Sequence, residues 1–334
     1  MFTRSFPLFS IFGFRISIDL SWFILAALIV WSLATDLFPQ NPPDRSTQVY
    51  YIMGTVAALG MFASIVFHEL AHSLVARIYG IKIAGITLFI FGGVAELEDE
   101  PPTPKSEFLV AIAGPISSVV LGGALYLLAT LLETSSPPEV LAVLSYLTVI
   151  NIVLAVFNLI PAFPLDGGRM LRAALWWRQG DLRKATRLAS LMGAALGIAL
   201  MAFGAYNAFD GAVVGGMWQM LIGYFVFNAA GNARRQTEIV ERLRGVSVRQ
   251  LMRTLPPHVP AGLRPDLSAS GTLSADQSAV TALRQLLRGP RSEALVLSGG
   301  TAVGIIGTRD IFAFLNRRTA FGSAANERQE PSHR

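Results

Sequence analysis

Six stretches of the chain run without a single Asp, Glu, Lys or Arg: residues 20–35, 46–67, 108–132, 141–160, 188–209 and 211–233. All but the first reach the ~20 apolar residues that a helix needs to cross ~30 Å of hydrocarbon. The first becomes long enough as residues 16–37, with Asp19 and Asp36 at the two interfaces. The pattern therefore predicts six transmembrane helices. Only Asp210 separates the last two, which calls for a tight turn there using Gly211. Between the second and third spans, residues 81–97 are β-branched and aromatic, too short to cross as a helix, and interrupted by Gly92 and Gly93. They read as a β-hairpin at or in the membrane. Residues 12–19 alternate in the same way and are a candidate further strand. From Gly245 the composition becomes that of a soluble domain. Residues 279–287 read as an amphipathic helix, 293–297 and 302–306 as strands, and 310–317 as a helix. The expected fold class is an all-α polytopic membrane protein with a small membrane-associated β-hairpin, followed by a small α/β cytoplasmic domain. The boundaries are 1–235 for the membrane domain, 245–319 for the appended domain and 320–334 for a disordered tail.

Composition sharpens this picture. Of the 334 residues, 52% are hydrophobic and 15% charged, against roughly 25% charged in a soluble domain. The charges are also placed unevenly. Arg77, Lys82 and Lys105 lie between spans two and three, and Arg169, Arg172, Arg178, Arg183, Lys184 and Arg187 between spans four and five. The loops of the opposite side hold only Arg45. The positive-inside rule then places both termini in the cytoplasm of a plasma (inner) membrane, with the lipid bilayer as surroundings. The net charge of +5 follows the membrane edge, so no nucleic-acid partner is expected. Residues 1–15 lack a small-residue cleavage site, and no removable signal is expected. The absence of cysteine excludes disulfide scaffolds, cysteine-ligated metals and cysteine nucleophiles.

The second span runs into Phe67-His68-Glu69-Leu70-Ala71-His72, read as the end of its helix. Positions four apart share a helix face, so His68 and His72 can reach one metal ion. Glu69 is placed to take a proton from a water activated there. Two of only four histidines in the chain are used in this motif. Zn2+ suits an imidazole and carboxylate donor set, one ion per chain. A third ligand is needed, and Asp166 is the best candidate. It follows the run Asn158-Leu159-Ile160-Pro161-Ala162-Phe163-Pro164-Leu165 and precedes Gly167-Gly168. The prolines cannot continue a helix and the glycines permit tight turns, and unwound backbone at membrane depth is tolerated where it lines a cavity. The competing reading of Asp166 is an acid in an interfacial loop. Counting from Tyr50 at ~1.5 Å per residue, His68 lies ~27 Å into the bilayer, on the cytoplasmic side from which Asp166 also emerges.

Phe67 to His72, the run Ala113-Gly114-Pro115-Ile116-Ser117-Ser118, and Asn158 to Gly168 together resemble the site-2 protease family of intramembrane zinc metalloproteases. The similarity covers roughly residues 12–232, with three motifs in order. It implies that His68, His72 and Asp166 are zinc ligands and that Glu69 is the general base. Asn158 matches a family asparagine that places substrate or stabilises the oxyanion; an interhelical hydrogen bond is the equal alternative. Gly114 and Ser118 match a family pattern and read as packing residues around the site. The resemblance also implies that the 81–97 hairpin presents the substrate, a single-pass membrane protein, by strand addition. By analogy, that substrate is a membrane-tethered transcription regulator such as an anti-sigma factor, or a remnant signal peptide.

Residues 246–252 resemble the opening of a CBS module, and the appended domain makes roughly one CBS motif where such modules pack in pairs. This implies a homodimer through the module, or a degenerate domain. The nucleotide-binding pattern is matched at Gly304 and Asp310, but Gly307 stands at its hydroxyl position and Thr308 is shifted by one. An adenine nucleotide is therefore a doubtful ligand, and a dimerisation or regulatory role without one is preferred. Two other functions compete with an endopeptidase acting in regulated intramembrane proteolysis: a CBS-regulated ion transporter, and an inactive zinc-binding scaffold.

Overall fold

The computed structural model describes residues 5–81, 83–89, 92–97, 101–255, 271–289 and 292–315. His258, His333 and the tail expected at 320–334 lie outside them. The chain divides into two compact units, Met1–Arg234 and Arg235–Arg334.

The first unit opens with strands β1 (Ser5–Ile11) and β2 (Phe14–Asp19), followed by α1 (Leu20–Ser32). The first span continues past α1 as a π-helical turn, Leu33–Leu37, and a 3-10 turn, Phe38–Gln40. The long helix α2 (Thr47–Ile78) is capped by Ser46, whose side chain accepts from the Val49 N–H. It does not end at residue 72, as the sequence suggested, but carries the His-Glu motif in its interior. Strands β3 (Ile83–Phe89) and β4 (Gly92–Leu97) follow, then α3 (Pro104–Leu132) and α4 (Pro138–Asn158). Helix α5 (Asp166–Gln179) stands where only a basic loop was expected. It closes at Gly180, in the left-handed conformation at φ 67°. Helices α6 (Leu182–Phe209) and α7 (Val213–Leu243) are joined at Asp210 and Gly211, with Gly211 at φ 102° as its turn requires.

Five of these segments are long and apolar enough to cross a membrane: Leu20–Gln40, Thr47–Ile78, Pro104–Leu132, Pro138–Asn158 and Leu182–Phe209. They leave large apolar side chains such as Leu59, Val120, Leu131, Val156, Leu191 and Phe203 exposed. A soluble surface does not carry so wide an apolar band; hydrocarbon solvates it. The interior between α1, α2 and α4 is apolar, with Phe38, Met53, Ala57, Val143 and Leu147 buried. Within it, Asn151 donates to Ser64 Oγ at 3.0 Å and to the Leu147 carbonyl at 2.8 Å. Helices α6 and α7 meet at glycines. A Cβ at Gly197 would stand 2.7 Å from the Gly223 carbonyl oxygen, and one at Gly204 2.6 Å from that of Gly216. Small residues of this kind let helix backbones approach in a membrane.

The expected hairpin is one half of a four-stranded sheet in the order β1-β2-β3-β4. β1 pairs antiparallel with β2 and β3 with β4, while β2 and β3 run parallel, with Ile16 opposite Ile86. The extra strand follows from a two-residue turn at Phe12 and Gly13, both at positive φ (49° and 84°), which suits the twist of a hairpin. One face of the sheet buries Phe14, Ile16 and Ile86 against Leu70 of α2.

The second unit forms a sheet in the order β5-β8-β7-β6, from β5 (Arg253–Thr254), β6 (Thr272–Ser274), β7 (Glu293–Ser298) and β8 (Thr301–Gly307). The short helix α8 (Val248–Leu251) precedes β5, and α9 (Ala279–Arg288) lies between β6 and β7. Residues 308–315 are helical. Its core is Val248, Ala282, Val296, Ile306 and Ile311.

One buried ion pair ties α5 to α3. The Arg172 Nε donates to Glu107 Oε1 at 2.6 Å, Glu107 is fully buried, and the Arg172 guanidinium lies 5.1 Å over the Phe163 ring. Removing one partner of such a pair leaves an uncompensated charge and costs about 3–5 kcal/mol, whereas an apolar replacement of both is near neutral. Arg172→Met is therefore expected to lower stability in detergent unfolding by about that amount, and Arg172→Met with Glu107→Leu to recover most of it. Equal stability of the single and double variants would contradict this role.

Candidate metal centre

The two histidines of α2 face the first residue of α5. His68 Nε2 and His72 Nε2 each lie 3.1 Å from Asp166 Oδ2, and 3.2 Å from each other. All three side chains are buried, and among the described residues they form the one cluster of three metal-capable groups.

Helix α3 fixes both rings from behind. His72 Nδ1 is 2.7 Å from the Val110 carbonyl oxygen and His68 Nδ1 is 2.9 Å from Ser118 Oγ. A carbonyl only accepts, so Nδ1 of His72 carries the proton and its Nε2 presents a lone pair. The same tautomer assigned to His68 makes Ser118 its acceptor. Gly114 lies between these two positions, four residues from each. A Cβ there would collide with both imidazoles, so α3 can pass only because this position is glycine. Ser118, expected as a packing residue, thus touches a candidate ligand directly.

Asp166 is delivered by a sharp reversal of the chain. Residues 159–165 leave the helical path after α4, as Pro161 and Pro164 require. The turn folds back so closely that a Cβ on Gly167 would overlap the backbone of Leu159 and Ile160, and one on Gly168 that of Ala162 and Phe163. The Phe163 N–H donates to the Ala189 carbonyl of α6 at 3.3 Å, anchoring the turn to its neighbour.

The donor set fits a metal ion. With both imidazoles in the Nδ1–H tautomer, two nitrogen lone pairs and a carboxylate oxygen converge, an arrangement that a cation between them stabilises. A tetrahedral zinc ion bound at ~2.0–2.1 Å separates its ligand atoms by about 3.3 Å, close to the 3.1–3.2 Å found here.

A cavity of about 250 Å³ opens beside His72 and Asp166, lined also by Glu69, Asn158 and Arg169 among others. Glu69 is half-buried and lines the same cavity as His72 and Asp166. A Cβ on Gly93 of β4 would lie 3.0 Å from its Cγ, so the sheet passes beside this carboxylate. Asn158 ends α4 and lines the cavity, with its Nδ2 donating to the Leu154 carbonyl at 2.9 Å. All five residues singled out in the sequence thus meet at one place. The Val110 carbonyl and Arg169 join them without having been assigned there, and Ser118, expected only to pack around the site, contacts His68. The signal for Ser118 was its spacing of four from Gly114.

Comparison with known proteins agrees with this geometry. The profile of peptidase family M50 matches residues 56–139 and 133–201. A protein of Synechocystis sp. is 39% identical over 254 residues, 76% of this chain and 66% of its own length. Rip3 of Mycobacterium tuberculosis is 38% identical over 77% of this chain and 65% of its own length. The chain thus spans just under two thirds of these relatives. A zinc metalloprotease of Methanocaldococcus jannaschii is 32% identical over 264 residues, covering 69% of that protein. Among solved structures, the site-2 protease from Methanocaldococcus jannaschii aligns with a TM-score of 0.50 and 31% identity, over 70% of this chain and 96% of that one. The chain belongs to peptidase family M50, the site-2 protease family.

Proposed function

We propose that the protein is an intramembrane zinc endopeptidase that hydrolyses a peptide bond in or near the transmembrane segment of a membrane-anchored protein. The observation that carries this reading is the convergence of His68, His72 and Asp166 beside the cavity lined by Glu69. His68, His72 and Asp166 would hold the zinc ion. When bound, zinc supplies a water of lowered pKa and polarises a carbonyl. Glu69 accepts a proton from the attacking water and returns it to the leaving amine. Asn158 lies on the cavity wall, where its amide can orient the substrate backbone. Ser118 and the Val110 carbonyl hold the imidazoles in the tautomer that ligation needs.

A helical substrate hides its peptide bonds and must be extended before it is cut. β4 is the edge of its sheet and passes Glu69 at Gly93. We assign its open edge to capture of the unwound segment by strand addition. α7 supplies the sixth crossing, and the distribution of Lys and Arg places both termini on the cytoplasmic side of the plasma membrane. The second unit acts as a CBS-like regulatory module. Its exposed Leu287 and Phe312 suit a second copy of the chain. Asp310 accepts from the Gly307 N–H at 2.8 Å and pairs with Arg253 at 3.1 Å. That carboxylate is already engaged, which favours dimerisation or regulation without an adenine nucleotide.

Glu69→Gln is expected to retain zinc and to lose cleavage by roughly 10²–10⁴-fold, as loss of a general base does. His68→Ala and Asp166→Ala lose the metal as well, measured by metal analysis of the purified protein. Comparing membranes that hold active and Glu69→Gln protein would reveal the substrate as the membrane protein cut only by the former. Cleavage by Glu69→Gln at the wild-type rate would refute the assignment. A separate expectation concerns Ser118→Ala, which should weaken zinc binding by about 10–100-fold; unchanged affinity in a chelator competition would remove Ser118 from the site.

A further inference from the structure

Two arginines stand a turn apart on α5 and are used differently. Arg172 is paired with Glu107 and stacked on Phe163. Arg169 lines the cavity beside Glu69 and Asp166, and its Nη2 is enclosed without a hydrogen-bond partner. It lies three residues after Asp166 in the first turn of α5, hence on the same helix face. A guanidinium is a fixed fork of donors that carries its charge at all relevant pH. Enclosing such a donor unpaired is unfavourable, so an unpartnered Nη2 on a residue of the cavity wall calls for an acceptor that the described residues do not supply. The cavity is where a peptide substrate must place its scissile carbonyl, next to the metal ligands and Glu69. The other candidate donor is partly committed, since the Asn158 amide already donates to the Leu154 carbonyl.

We propose that Arg169 is a catalytic residue whose guanidinium binds the scissile carbonyl oxygen and stabilises the negative charge that develops on it. This rests on the protease reading above. As the water oxygen bonds to the carbonyl carbon, the C=O π pair moves onto the carbonyl oxygen, facing Arg169, while Glu69 holds the proton released from the water. On collapse that pair re-forms the C=O bond, the C–N bond breaks, and the amine leaves with the proton from Glu69. Arg169 stays protonated throughout. Its positive charge also offsets the two carboxylates, Glu69 and Asp166, that line the same cavity.

The test uses the full chain in detergent with a reporter carrying the transmembrane segment that the wild-type protein cuts. Arg169→Ala is expected to lower kcat by ~10²–10³-fold, as loss of an oxyanion donor does, with KM changed by less than about threefold and zinc content equal to wild type. Added guanidinium ion should restore part of the kcat of Arg169→Ala and leave Glu69→Gln inactive. Arg169→Lys should fall between wild type and Arg169→Ala, because Lys keeps the charge and loses the fork. Wild-type kcat in Arg169→Ala would overturn the proposal, and so would an effect confined to KM. Loss of zinc in step with activity would make Arg169 a structural residue and also overturn it. A wild-type protein that binds zinc and cuts nothing would overturn the protease reading, and this proposal with it.

Discussion

The site rests on three electron-rich atoms held together against their mutual repulsion. His68 Nε2, His72 Nε2 and Asp166 Oδ2 stand 3.1–3.2 Å apart in a buried position. The Nδ1 atoms of the two imidazoles are engaged elsewhere, His68 with Ser118 and His72 with the Val110 carbonyl. Charged and polar groups at membrane depth are costly and normally have a functional partner, and a cation is the partner that turns this repulsion into binding. Much of the first unit's packing can be understood as the means of keeping these atoms in place.

Three elements supply that rigidity. α2 sets the two imidazoles one turn apart on a helix that continues past them to Ile78. α3 lies against the rings along residues 110, 114 and 118, an approach that only a glycine at 114 permits. The third is the reversal between α4 and α5, which presents Asp166 and is fastened by the Phe163 amide to α6 and by the buried Arg172–Glu107 pair to α3. Close passage of backbones at glycines recurs between α6 and α7. Where lipid removes most of the hydrophobic drive for helices to associate, contact of this kind and internal hydrogen bonds hold a bundle together.

The three candidate ligands were legible in the sequence because each carries a local signal: an i, i+4 pair on an apolar helix, and an acid between two prolines and two glycines. What surrounds them was less so. Val110 contributes a main-chain carbonyl, which no side-chain pattern announces. Arg172 reads as one more positive charge at the membrane edge, since its partner is 65 residues away in the chain. α5 escaped because its buried face is made of glycines, an alanine and that arginine rather than an apolar stripe. β1 escaped because its turn is Phe-Gly, with Phe12 itself at φ 49°, in place of the usual Asn-Gly or Asp-Gly. Five of the six expected spans recur as helices long and apolar enough to cross, since a bilayer demands length and apolarity and little else.

Zinc-edge X-ray absorption of the purified full-length protein tests the central claim most directly. The account predicts one zinc per chain with two imidazole nitrogens and a carboxylate oxygen from the protein, and loss of that signature in Asp166→Ala. A protein without zinc would contradict it, as would a zinc site whose coordination is the same in wild type and Asp166→Ala.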